Sequence, residues 1–204
     1  MQTKYDNEKW LEVIDDIDRL DRIAYETWKQ SIGSEQCSYT GKIDLDFGRI
    51  LALRPNKVPF HTLNIGDKVM PIHKGMEGNE ILRHKFPYDD PIHQDIKDKF
   101  GIKNSYAILH VQEPGTLVGI HIDKYRRHMT NGHYDFSDVT VSQIWRSIIF
   151  CQDWQVGQVF MAGTQTVTDW KQGDTYTFPW YMPHGSANGG MHDRYVIQCV
   201  GEKL

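Results

Sequence analysis

Three cysteines in 204 residues, Cys37, Cys151 and Cys199, are too few and too scattered for a disulfide framework or a paired-cysteine metal site. That scarcity points to a reducing interior, and Cys151 and Cys199, set in apolar runs, read as core residues. No apolar stretch approaches the length of a membrane span, and residues 1 to 8 lack the hydrophobic segment of a signal peptide. A cytoplasmic protein without membrane contact is expected. Neither sign of charge dominates: 23 Lys and Arg stand against 27 Asp and Glu, for a net charge of −4 and a pI of about 6.2. With no basic field to draw in a polyanion, a nucleic-acid partner is not expected. Internal repeats and low-complexity tracts are absent as well.

The length suits one domain over 1–204, large enough to bury a core without staples. Aromatics make up 12% of the chain and include six Trp, which fits a β-rich core or an aromatic-walled pocket. From about Asn7 to Ile32, Trp10, Val13, Ile14, Ile17, Leu20, Ala24 and Trp28 recur at helical spacing, ended by Gly33. The acidic run Asp15-Asp16-Ile17-Asp18 on that helix reads as a solvated face. Between 33 and 80 the pieces Ile43 to Phe47, Ile50 to Leu53 and Thr62 to Ile65 suggest short strands separated by Gly, Pro and Asn. Asp90-Pro91 opens a second helix that runs to Phe100 and stops at Gly101.

From Ser105 onward the pattern changes to short strands with turn residues between them: Tyr106 to Gln112, Thr116 to Ile122, Gln143 to Gln152, Gln158 to Ala162, Thr164 to Trp170, Asp174 to Trp180 and Asp193 to Val200. With no helix among them, they predict a closed or nearly closed antiparallel β structure. Residues 105–204 are thus the expected core, and 1–104 the helices and short strands that pack on it. One long insertion, Lys124 to Val141, interrupts the strands, and insertions beside a site are commonly substrate loops.

His121 and Asp123 sit at alternate positions of an apolar, β-branched run, which on a strand sends both side chains to one face. His184 can complete a set of two imidazoles and one carboxylate, the facial arrangement that holds non-haem Fe(II) and leaves positions open. Arg194 is then a permanent cation inside a strand, with a fork suited to a carboxylate. The plainer alternatives are a structural ion pair of Arg194 with Asp123 or Asp174, a structural bridge at Arg146, core packing for Trp180 and Tyr181, and solvent exposure for His133 and His192.

Residues 105 to 200 resemble the Fe(II)- and 2-oxoglutarate-dependent dioxygenases, and within them the aspartyl/asparaginyl β-hydroxylase group. The resemblance rests on Pro114-Gly115-Thr116 leading to His121, on Trp145-Arg146-Ser147-Ile148-Ile149, and on Trp170-Lys171-Gln172-Gly173. It continues through Thr175 to His184, followed by Asn188 and Arg194. It implies a double-stranded β-helix (jelly-roll, cupin-like) core in a mainly β fold with flanking helices. It also implies Fe(II) on His121, Asp123 and His184, 2-oxoglutarate as co-substrate with Arg194 on its distal carboxylate, and dioxygen as oxidant. Arg146 and His110 are further candidates to touch the co-substrate. Trp180 and the Arg126-Arg127 pair are candidates to meet substrate. Ile148 stands where the group carries a histidine, so the metal-proximal carboxylate must be held differently. The reaction implied is hydroxylation of a C–H bond in a small molecule or peptide, an amino acid by preference. The rival from another class is a cupin-like binding protein or a metal-dependent isomerase, since fold does not settle function.

Overall fold

The computed structural model describes residues 29–30, 37–59, 62–65, 68–71, 80–123 and 144–204. The first expected helix, with its Asp15 to Asp18 run, lies outside the described residues except for 29 and 30, which are helical. The insertion bearing Arg126, Arg127 and His133 lies outside them too. Strand β1 (Ser38–Lys42) precedes helix α1 (Phe47–Ala52), β2 (Asn56–Pro59), β3 (Thr62–Ile65), β4 (Lys68–Pro71) and β5 (Glu80–Lys85). Helix α2 (Pro91–Phe100) then leads into β6 (Ile102–Gln112), β7 (Thr116–His121), β8 (Ile144–Phe150) and β9 (Gln158–Ala162). The chain ends through β10 (Gln165–Val167), β11 (Asp174–Thr177), β12 (His184–Asn188) and β13 (Arg194–Lys203).

Two early pieces differ from expectation. Ile43 to Asp46 is irregular, and the segment containing Ile50 to Leu53 is helical rather than extended. Asp46 caps α1 by accepting the Arg49 N–H at 2.9 Å, and Phe47, Ile50 and Leu53, spaced by three, place one apolar face against the core. A short run of this kind fits either period, and packing decides it. Thr62 to Ile65 is a strand as expected, paired with β4. Helix α2 begins as the sequence indicates: the Asp90 carboxylate accepts the Ile92 N–H at 2.9 Å, Pro91 takes the first position, and Gly101 closes the helix at φ 57. Asp90 also receives both terminal nitrogens of Arg49, at 3.1 and 2.5 Å, which ties the two helices together.

The strands form a seven-stranded antiparallel sheet, β1-β11-β8-β13-β6-β5-β2, and a four-stranded one, β10-β9-β12-β7, with β3-β4 as a separate hairpin. From β6 to β13 the chain passes between the two large sheets, a double-stranded β-helix, or jelly roll. The early strands extend its larger sheet at both edges, β1 beside β11 and β5 with β2 beside β6. The strand expected over Asp174 to Trp180 is shorter, and a further strand opens at His184. Strand β11 stops at Thr177, and Pro179 and Pro183, which have no N–H to give a ladder, lie in the turn before His184 opens β12.

Alternation along the larger sheet separates two environments. Ala107, Leu109, Val111, Ile149, Ile197 and Cys199 point outward, where α1 and α2 cover them with Ile50, Ile92 and Ile96. Ile148, Phe150 and Val196 point inward toward Phe160 and Ala162 of the smaller sheet. Both expected core cysteines, Cys151 and Cys199, are buried. Among the described residues no helix is long and apolar enough to cross a membrane.

His93, buried on α2, donates from Nδ1 to the Pro87 carbonyl at 3.1 Å and accepts the Ser105 hydroxyl at Nε2 at 2.9 Å. Burial holds its pKa below 6.5, against the opposing pull of the Pro87 hydrogen bond. The unfolded chain therefore takes up a proton below about pH 6.5 that the folded chain refuses, and stability falls as pH falls, by up to about 1.4 kcal/mol per unit. Denaturant unfolding between pH 7.5 and 5.5 should show this loss, and His93→Gln should reduce it.

Candidate metal centre

His121 ends β7 and His184 opens β12, and the two are direct cross-strand partners. The register slips between His184 and Ser186, and Gly185 lies at that irregularity. A Cβ on Gly185 would sit 2.9 Å from the Val118 carbonyl oxygen and 3.2 Å from the Ile120 nitrogen, so only glycine permits this approach. The imidazoles consequently face one another with ring centroids 4.3 Å apart. Each is oriented from behind: His121 Nδ1 lies 2.8 Å from the Gly119 carbonyl and His184 Nδ1 lies 3.0 Å from that of Met182. A carbonyl only accepts, so both Nδ1 atoms donate, and the Nε2 atoms are the ones turned toward Asp123.

Asp123, two residues beyond His121, brings Oδ1 to 3.3 Å from Nε2 of His121 and 3.8 Å from Nε2 of His184. The three side chains form a group that can hold a metal ion. Two nitrogens and one carboxylate on one side suit Fe(II) with positions left open. The other carboxylate oxygen is held by the larger sheet: Oδ2 receives Arg146 Nη2 at 2.6 Å and Gln198 Nε2 at 2.7 Å. Burial alone would raise the Asp123 pKa, but Arg146, with His121 and His184 adding, holds it well below the usual carboxylate range. Burial first, then Arg146 and His121, hold His184 well below the usual histidine value, so it is neutral.

Arg146 does more than pair. Its Nη2 also lies 2.8 Å from Nε2 of His184, donating to the lone pair that a metal ion needs. The two uses exclude each other, and an ion at His184 requires Arg146 to give up that bond. Sequence reasoning left Arg146 between pocket residue and structural bridge; its guanidinium lies in the cavity wall and bridges to Asp123.

The site opens into this cavity, which is partly open to solvent and lined by His121, His184, Arg146, His110, Gln112 and Arg194 among others. Arg194 is 2% exposed, lies over the rings of Phe150 and Trp170, and donates from Nη1 to the Gln112 side-chain oxygen. Neither Asp123 nor Asp174 pairs with it, and among the described residues it has no carboxylate partner. Burial lowers its pKa to about 9, which leaves it a cation at neutral pH. His110 faces the cavity from β6, and burial, with Arg83 adding, keeps it neutral.

Trp180 is half-buried against the Tyr181 ring, 5.6 Å between centroids, and does not line this cavity. Arg126 and Arg127 are outside the described residues. His192 is exposed, as expected. Gln198, Gln112 and Ser186 were not foreseen. Strand parity carried the signal for the two glutamines: once Arg194 and His110 face inward, so do Gln198 and Gln112.

No protein-family model and no curated protein matches the chain. Among solved structures, it is similar to an oxidoreductase of the 2OG-Fe(II) oxygenase family from Burkholderia pseudomallei, at 12% identity and TM-score 0.45, covering 78% of this chain and 79% of that one. It is also similar to the viral collagen prolyl hydroxylase of Paramecium bursaria Chlorella virus-1, at 12% and 0.44 over 61% and 80%. A third is the cupin domain of a transcriptional regulator from Enterobacter cloacae, at 9% and 0.38 over 61% and 98%. At these values the likeness carries no weight for the chemistry, and the aspartyl/asparaginyl hydroxylase group is not singled out.

Replacing Asp123 by Asn should lower the affinity for Mn(II) or Fe(II), measured anaerobically by calorimetry, on the order of 100-fold. Gln198→Leu, which frees the carboxylate on one side only, should cost on the order of 10-fold.

Proposed function

We propose that this protein is an Fe(II)- and 2-oxoglutarate-dependent dioxygenase that hydroxylates an unactivated C–H bond of a small molecule or peptidyl residue, an amino acid by preference. One observation carries the reading: a cavity lined by both histidines, with the Asp123 carboxylate set against them, also reaches a buried guanidinium that no carboxylate neutralises among the described residues. A buried cation without a counter-ion is costly, and a dianionic co-substrate supplies the missing charge.

In this reading Nε2 of His121, Nε2 of His184 and Oδ1 of Asp123 hold the iron. Bound Fe(II) supplies oxygen activation coupled to decarboxylation of 2-oxoglutarate to succinate. The remaining work belongs to the chain. Arg194 pairs with the distal carboxylate, and Phe150 and Trp170 beneath it keep water away. Arg146, the cation already touching the ligand set, takes the proximal carboxylate that Ile148 cannot reach. Gln198 keeps Asp123 turned toward the histidines. His110 is the nearby neutral ring that can contact the co-substrate. Trp180, Arg126 and Arg127 remain proposals for substrate contact, and the reading takes the protein as a cytoplasmic enzyme with no nucleic-acid partner.

A second reading, a cupin-like binding protein or metal-dependent isomerase, draws on the Arg146 to His184 hydrogen bond, which satisfies the site without a metal. Anaerobic addition of Fe(II) and 2-oxoglutarate separates the two. The dioxygenase gives a weak visible charge-transfer band, absent in Asp123→Ala, and then succinate release stimulated by an amino acid or peptide. Metal binding without that band, and no 2-oxoglutarate turnover, would assign the protein to the second class.

A further inference from the structure

Gln112 stands directly opposite Arg194 in the pairing of β6 with β13. Its side-chain oxygen accepts from two donors, Nη1 of Arg194 and the Ser186 hydroxyl, the latter at 2.9 Å. Turning the amide over would set its NH₂ group against the Arg194 guanidinium, which has no acceptor to offer, so Arg194 fixes the orientation. The consequence falls on the other end of the amide. Gln112 Nε2 is buried in the cavity wall with no acceptor among the described residues, and Arg194 Nε also lacks one. Two neighbouring buried groups thus hold unused N–H donors beside a cation with no carboxylate partner. An acceptor with negative charge answers all of these at once.

Resting on the dioxygenase reading, we propose that Gln112 is a co-substrate-binding residue. Its Nε2 donates, beside Arg194, to the distal carboxylate of a short 2-oxo dicarboxylic acid. Ser186 acts through it as a positioning residue that holds the amide oxygen back toward the sheet. Gln112 and Arg194 together then set the preference for a diacid over a monoacid, because an apolar chain end leaves all of these donors unmet.

The test is calorimetric titration of the full chain loaded with Mn(II), using 2-oxoglutarate and 2-oxopentanoate, which has the same carbon count without the distal carboxylate. Wild type should prefer the diacid. Gln112→Leu should weaken the diacid about tenfold or more, with 2-oxopentanoate and Mn(II) affinity unchanged. Ser186→Ala should weaken it less. Gln112→Glu, nearly isosteric and able to pair with Arg194, stays folded and should lose the diacid about 100-fold. If wild type binds the diacid and both Gln112 variants bind it equally well, the role of Gln112 is overturned while the dioxygenase reading stands. If metal-loaded wild type binds neither acid, both fall together.

Discussion

The carboxylate of Asp123 joins the two sheets at the one place where their side chains must cooperate. One oxygen belongs to the larger sheet, through Arg146 on β8 and Gln198 on β13; the other faces the histidines of the smaller sheet. Neither half of this arrangement stands alone. Without Arg146 and Gln198 the carboxylate would be a buried charge with nothing to hold its rotamer, and without Asp123 the Arg146 guanidinium would be stranded at 2% exposure. The ligand geometry is thus tied to charge compensation across the interior.

That arrangement is possible because the jelly roll devotes the two faces of its larger sheet to different purposes. The outward face is apolar and covered by helices, and supplies stability through Leu109, Ile149 and Ile197. The inward face carries His110, Gln112, Arg146, Arg194 and Gln198 at positions where a purely structural sheet would place Val or Leu. Such residues cost stability, and the outward face offsets the cost. The division follows from the period of two along each strand, so the polar set is aligned by register rather than by loops.

Much of this was legible in the residues. The Asp90 cap, the Gly101 stop and the run of short strands each have a local signature and correspond to observed elements; His121 and Asp123 do meet, but β7 ends at His121 and Asp123 lies beyond it rather than on the strand. Short apolar pieces lack such a signature, because Ile50 to Leu53 satisfies helical and extended periods alike and only contact with the core selects one. The partner of Arg194 was also hidden. Sequence invites a search for acids, and the structure provides a neutral amide, a choice visible only when β6 and β13 are set side by side. Nor does sequence reveal that Arg146 reaches two of the three candidate ligands, since that depends on the crossing of sheets.

Trp170 is stacked on Phe150 at 4.0 Å, with the Arg194 guanidinium 5.3 Å from its ring. A cation so near an indole polarises it, and the polarisation relaxes when a counter-charge arrives. A counter-charge arriving in the cavity would therefore be felt by the buried indole of Trp170 as well as by the guanidinium it meets.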